Sequence, residues 1–485
     1  MRHEGNGHAK RAGSDALSEH ARGDTVWLAL LDVNGRIVRL DVMPSSLRVP
    51  SYPSGSRVVE SPAMSEPDKA VAHNWAFKAR FRRHAFGWRS QPAIQRVNQA
   101  VAEVKKVARK DPLLAADGAV AFIERISPAL ERVDSSSGAI GTAVNRALSE
   151  LVPIIANAPA DSNVRGAWLE RLWAAQERDE IPYIESLGDH WGELCASSEM
   201  ASTWADHILD VTRLALSPDP KLRGYFHGTS ACLSALFRAE RYEEIVELVA
   251  GERIIWPYKR WAVKALDAMG QKGQAIKYAE SCRSPWASDA DIDSLCEQIL
   301  LSSGLVDEAY RRYGLRAHAG GTYLATFRAV ARTYSHKEPS DILADLVDTT
   351  PGNEGKWFAA AKEAGLYDEA LELARRAPCD PKTLTRAARD LAAERPVFAV
   401  EAGLLALRWL VEGYGYEITG ADVWAAYSDT VKAAEKINAE DSVRARITQL
   451  AAQQPAGIVA RILRPELGLV LKRALVDTVP VAVVG

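Results

Sequence analysis

The sequence predicts an all-α fold: an α-solenoid of degenerate helix–turn–helix repeats, with a small N-terminal β-hairpin and a disordered tail. Three observations predict it. Apolar residues recur at helical spacing, with short breaks, from about residue 92 onward. One turn pattern returns at intervals near 34 residues in the second half of the chain. Near the N-terminus a single pair of strand-forming runs flanks an Asn-Gly step.

Taken in order, residues 1–23 are polar and rich in Gly, His and Ser, and are expected to be a disordered tail. The runs Thr25–Val33 and Arg36–Val42 around Asn34-Gly35 predict a hairpin over 24–43, because both turn residues must adopt positive φ. Residues 44–68 are a Pro/Ser/Gly-rich linker, within which Met64 opens a segment of different character and is an alternative start. A basic segment and an N-terminal helical region fill 69–220, with helices expected near 92–110, 113–132, 138–157, 162–178, 182–196 and 198–216 and another from about 220. Pro92, Pro112, Pro182 and Pro220 are placed at helix starts, where the missing N–H costs nothing. The repeat region is 221–450, and 451–485 is a C-terminal helix and tail.

The repeats emerge when Glu240, Gly270, Gly304 and Gly365 are aligned as position zero. Position −4 is then Leu236, Leu266, Leu300 and Ala361, and position +5 is Ile245, Ala275, Ala309 and Ala370. Position +9 is Val249, Ala279, Tyr313 and Ala374. Glycine at zero ends the first helix in the left-handed region, which a Cβ disfavours. Positions +5, +6 and +9 share one face of the second helix, and alanine at +5 allows two helices to approach closely. A degenerate unit with helices near Tyr323–Tyr334 and Ile342–Val347 is expected between Gly304 and Gly365.

The segment Gly365-Leu-Tyr-Asp-Glu-Ala370 resembles the turn between the two helices of a tetratricopeptide repeat. The stretch 180–450 also resembles a family of uncharacterised bacterial helical-repeat proteins. It does so through Tyr313-Gly-Leu-Arg316, Gly321-Thr-Tyr-Leu-Ala-Thr-Phe327, Gly355-Lys-Trp-Phe358 and Trp409-Leu-Val-Glu-Gly-Tyr-Gly-Tyr416. Some members carry an upstream SWIM-type zinc finger; this chain has no cysteine before Cys195, so that finger is not expected here. The resemblance implies a tetratricopeptide-like solenoid.

Composition is that of a globular protein, with 47% apolar and 25% charged residues and a net charge of −3, so any polyanion binding would be local. Five scattered cysteines, none in a C-x-x-C pair, are expected to be buried thiols in a reducing cytoplasm rather than disulfides or zinc ligands. No secretory leader is read, and no uncharged apolar run of about 18 residues, so no membrane partner is expected.

Catalytic and cofactor motifs fail on their own chemistry. Gly352-Asn-Glu-Gly-Lys-Trp357 has the wrong glycine spacing for a phosphate loop, with Trp357 where a hydroxyl should hold magnesium. Asp289-Ala-Asp-Ile-Asp293 begins like a calcium loop but has Leu300 where its final carboxylate should be, and reads better as an acidic first turn. His227-Gly-Thr-Ser230 sits in helical surroundings rather than on a strand-to-helix elbow. Asp189-His190 and Asp206-His207 are adjacent pairs that face different ways on a helix. No catalytic residue, cofactor or metal is therefore expected, and the chain is not read as an enzyme.

Two basic features remain. From Lys69 to Lys110 there are eleven Lys/Arg and one acid, Glu103, and the densest part interleaves Arg80, Arg82, Arg83 and Arg89 with aromatics. That composition suits nucleic acid, through phosphate contact and base stacking, but equally suits a segment whose aromatics pack on the first repeat. The pairs Arg260/Lys264, Arg312/Arg316 and Arg328/Arg332 at i, i+4 would form a ladder for an acidic partner if they shared one side, or a plain solvated face if not. The expected function is a non-catalytic scaffold that binds a protein partner in its concave groove. The alternative is a nucleic-acid-associated protein that uses 69–110.

Overall fold

The structure, a computed structural model, describes residues 73–468 apart from Trp286, together with the backbone of Val26–Leu31 and Ile37–Met43. Those two short segments pair antiparallel, Val26 opposite Met43. The expected tail, the Asn34-Gly35 turn, the linker and the last seventeen residues, 469–485, lie outside the described residues. From residue 73 onward the described fold is all-α. It divides into two compact units, one ending at Cys282 and one beginning at Arg283, a division that falls within the stretch expected to be the repeat region.

In the first unit, α1 (Ala76–Arg80) precedes a bundle of α2 (Ser90–Ala108), α3 (Pro112–Leu130), α4 (Ala139–Ala156) and α5 (Ser162–Glu177). Trp75, Phe77, Phe81 and Phe86 are all buried, and the Phe77 and Phe81 rings meet Phe122 of α3 edge-on. A Cβ on Gly118 would lie 2.1 Å from the Trp75 ring, so only glycine lets the indole lie flat on α3. Asp111 caps α3 by accepting the Leu114 N–H at 2.9 Å, with Pro112 at the first helical position as expected. Asp161 caps α5 in the same way through the Val164 N–H.

Where a helix over 182–196 is expected, the chain instead forms a 3-10 turn (Glu185–His190) and the short α6 (Trp191–Cys195). The Asp179 carboxylate accepts the N–H groups of Tyr183 and Ile184, which holds Pro182 in a loop rather than at a helix start. After α7 (Ser198–Ala215), Pro220 likewise lies in a loop, where the Asp219 side chain accepts the Lys221 N–H, and α8 (Thr229–Arg238) begins nine residues later. The remaining helices of this unit are α9 (Tyr242–Leu248), α10 (Trp256–Ala268) and α11 (Lys272–Ser281).

The second unit runs α12 (Asp289–Ser302), α13 (Val306–Ala309), a π turn (Tyr310–Gly314), α14 (Leu315–Ala317), α15 (Tyr323–Thr333), α16 (Pro339–Asp348), α17 (Phe358–Glu363) and α18 (Tyr367–Arg376). It continues with α19 (Pro381–Leu391), α20 (Pro396–Val411), α21 (Gly420–Glu435), α22 (Glu440–Gln453) and α23 (Ile458–Leu467). Helices α15 and α16 occupy the place of the expected degenerate unit.

All four aligned turns share one geometry. Position zero has positive φ in each case, +60° at Glu240, +78° at Gly270, +74° at Gly304 and +76° at Gly365. The N–H at +1 donates to the carbonyl at −4, as Arg241 to Leu236, Gln271 to Leu266, Leu305 to Leu300 and Leu366 to Ala361. That bond satisfies a carbonyl which the end of the first helix would otherwise leave unpaired. Ile245, Ala275, Ala309 and Ala370 at +5 are fully buried. The same bond closes two further turns, at Gly413 (φ +84°) and Asn438 (φ +52°). Around Asn438 the periodic positions Ala434, Val443 and Ile447 are buried as well, although alignment on glycine passes over this turn.

Candidate functional site

In the first unit a groove of about 500 Å³ opens over the junction of α6, α8, α9 and α10. Its walls are close-packed because α6 approaches α8 through Gly192. A Cβ there would lie 2.2 Å from the Ser234 carbonyl oxygen, and the Gly192 N–H instead donates to the Ser234 hydroxyl at 3.0 Å. One side carries linked aromatics, with Phe237 between Tyr242 (5.4 Å) and Trp261 (5.7 Å), and the Lys264 ammonium lies 4.4 Å from the Trp261 ring centre. The other side carries Asp189 and Glu193. Arg260 reaches Asp189 at 2.5 Å, which ties α10 to the 3-10 turn, while the second Asp189 oxygen and the Trp261 indole nitrogen are buried without a hydrogen-bond partner. Burial, and then the neighbouring Arg260 charge, lower the Lys264 pKa below the usual lysine range. A groove with both charge signs beside aromatic surface is suited to a peptide, with the aromatics as anchors and the charges as orienting contacts.

The second unit holds a buried polar network that sequence reasoning did not find. Asp293 and Glu297 lie one turn apart on α12, both essentially unexposed. Asp293 accepts from Arg283 and, at 2.8 Å, from Arg316. Glu297 accepts the Tyr334 hydroxyl at 2.6 Å and meets His318 at 3.2 Å. The Tyr334 ring packs on Gly314, the last residue of the π turn, where a Cβ would lie 2.8 Å from it. Tyr310 packs edge-on against Tyr334 and donates to Asp345 at 2.6 Å. Burial and the Glu297 carboxylate push the Tyr334 phenol above its usual range, because ionisation would place a second negative charge beside the first. Asp289 does sit in an acidic first turn, paired with Arg283, but Asp293, four residues further on, faces the core.

The predicted cations are mostly engaged within the chain. Arg80 donates weakly to Gln99 at 3.4 Å, and Arg83 pairs with Glu131 at 3.2 Å. Arg82 and Arg89 are exposed, with no carboxylate partner among the described residues. Of the proposed ladder, Lys264 lines the groove in the first unit and Arg260 pairs with Asp189 beside it. In the second, Arg312 pairs with Glu308 at 2.9 Å, Arg316 clamps Asp293, and Arg328 pairs with Glu363. Arg332 is exposed. Spacing along the chain can reveal Glu308, four residues before Arg312, but not Glu363 or Asp293, which arrive from other helices.

The interleaved aromatics of 75–86 are core residues, so they offer no stacking surface to bases; Trp88, 71% exposed, is the exception. His227 is half-buried against Trp173 (5.2 Å) and Phe226 (5.1 Å), and desolvation lowers its pKa. His190 meets Glu193 at 3.4 Å rather than Asp189, and His207 meets the Thr203 carbonyl at 2.6 Å rather than Asp206. Cys195 and Cys232 are buried thiols with pKa values pushed up to about 12, so they are poor nucleophiles. Among the described residues no group of His, Cys, Asp and Glu could hold a metal ion. Among the described residues, helix α4 alone is long and apolar enough by composition to cross a membrane. Its apolar face is buried on α2 and α3, and its outer face carries Arg146 and Glu150. No protein-family profile matches this chain, and no curated protein is similar to it.

Proposed function

We propose that this chain is a non-catalytic scaffold, an α-solenoid of degenerate tetratricopeptide-like repeats, that binds a protein partner in a concave groove. The observation that carries the reading is the groove over α6, α8, α9 and α10, where Phe237, Tyr242 and Trp261 lie beside Asp189, Glu193 and Lys264. Stacked helix pairs bury their own core and leave such a surface for a ligand. The five equivalent helix–turn–helix turns, at Glu240, Gly270, Gly304, Gly365 and Asn438, support a repeated unit, and the paired backbone of Val26–Leu31 and Ile37–Met43 is read as a hairpin at its N-terminal end.

Affinity purification of the tagged full-length chain from its native host, beside a Lys264→Glu variant, tests the proposal. The expected result is a protein band in near-stoichiometric amount, free of nucleic acid by absorbance ratio, and reduced about tenfold or more by the variant. Nucleic acid in place of a protein band, or a band that the variant leaves unchanged, would refute it.

A further inference from the structure

A second groove, between α2 and α4, shares no lining residue with the first and has a different character. We infer that it is a docking site for an acidic, amphipathic helix of a partner protein. The cavity is about 570 Å³, with Val101, Ala102 and Ala147 as an apolar floor. Lys105 and Lys106 of α2, Arg109 at its C-terminal cap and Arg146 of α4 form the rim. A single carboxylate, Glu150, stands among these four cations and accepts from Lys105 at 2.8 Å and from Arg146 at 3.2 Å. It thereby spans the two helices and leaves the groove three positive charges in excess. Lys106 and Arg109 are exposed, and no carboxylate among the described residues pairs with them. The acids nearest in sequence are occupied elsewhere, Glu103 by the Ala76 N–H at 2.8 Å and Asp111 by the Leu114 N–H at 2.9 Å.

Shape and charge together select the occupant. The α2 side of the groove runs from Asn98 to Arg109. At 1.5 Å per residue that is about 16 Å, or three helical turns. A helix of that length with one apolar stripe covers the floor, and acids flanking the stripe meet the rim. A phosphate backbone would satisfy the cations but lay polar atoms on the floor; Phe77 and Phe81 are buried against Phe122, and Trp88, the exposed aromatic of the basic segment, does not line this groove.

The test titrates the full-length chain, by fluorescence polarisation at about 0.15 M salt, with a labelled peptide of about fourteen residues. The peptide carries leucines at helical spacing flanked by glutamates. Comparators are the same composition scrambled to destroy the stripe, and single- and double-stranded DNA of equal charge. The amphipathic peptide is expected to bind at least about tenfold more tightly than any comparator. The double variant Lys106→Glu/Arg109→Glu should weaken it about tenfold or more, and Arg82→Glu/Arg89→Glu should leave it unchanged. If charge reversal impairs folding, Lys106→Gln/Arg109→Gln should still weaken binding several-fold. Scrambled peptide or DNA binding as tightly as the amphipathic peptide, affinity indifferent to Lys106 and Arg109, or no binding at all would each overturn the inference.

Discussion

Asp293 allows the electrostatics of the second unit to be tested by a rescue. Its carboxylate is fully buried, and its hydrogen bonds come from Arg283 and Arg316, whose side chains are 31% and 60% exposed. Replacing both arginines with alanine leaves a charged carboxylate in the core without partners, and breaking a buried pair in this way costs about 3–5 kcal/mol. Adding Asp293→Leu to that double variant removes the stranded charge and fills similar volume with apolar atoms. Such exchanges of ionic for hydrophobic groups are often close to neutral. The triple variant should therefore be more stable than the double by about 2–4 kcal/mol, although it departs further from the native sequence. Across a unit of this size each kcal/mol corresponds to about 2–4 °C, so the rescue should exceed about 4 °C in a thermal melt and should reappear in urea denaturation. A triple variant no more stable than the double would refute the reasoning: the loss would then come from the packing of the arginine stems, not from the buried charge.

Two further outcomes follow from the turn geometry. Ala370→Arg should destabilise severely, by at least about 1–3 kcal/mol from overpacking alone, because position +5 is fully buried where two helices cross; a melting temperature within about a degree of the parent would reject the repeat register. Glu240→Gly should stabilise by about 0.5–1 kcal/mol, because Glu240 holds φ at +60° in a turn that glycine fills elsewhere, and an unchanged or lower denaturation midpoint would count against strain at that position.

The helical periodicity, the αα-turns and the burial at −4, +5 and +9 were legible in the sequence because each is set by residues within one turn of one another. Glycine at Gly304 enters the left-handed region without a Cβ penalty, and an alanine at +5 marks a close approach without naming the partner helix. Asn438 escaped because asparagine reaches the left-handed region through its own side chain, so alignment on glycine misses it. Pro182 and Pro220 misled because a proline that could open a helix also serves in a loop, and the capping carboxylates of Asp179 and Asp219 decided between the two. The basic segment carried both of its readings in the sequence, and only packing turned Phe77 and Phe81 toward Phe122 and left Arg82 and Arg89 outside. Both grooves and the Asp293–Glu297 network were beyond the sequence for one reason. Each joins side chains from helices far apart in the chain, such as Arg146 with Lys105 and Tyr334 with Glu297. Local propensity determined what the helices are; the exclusion of water between them determined which charges face one another.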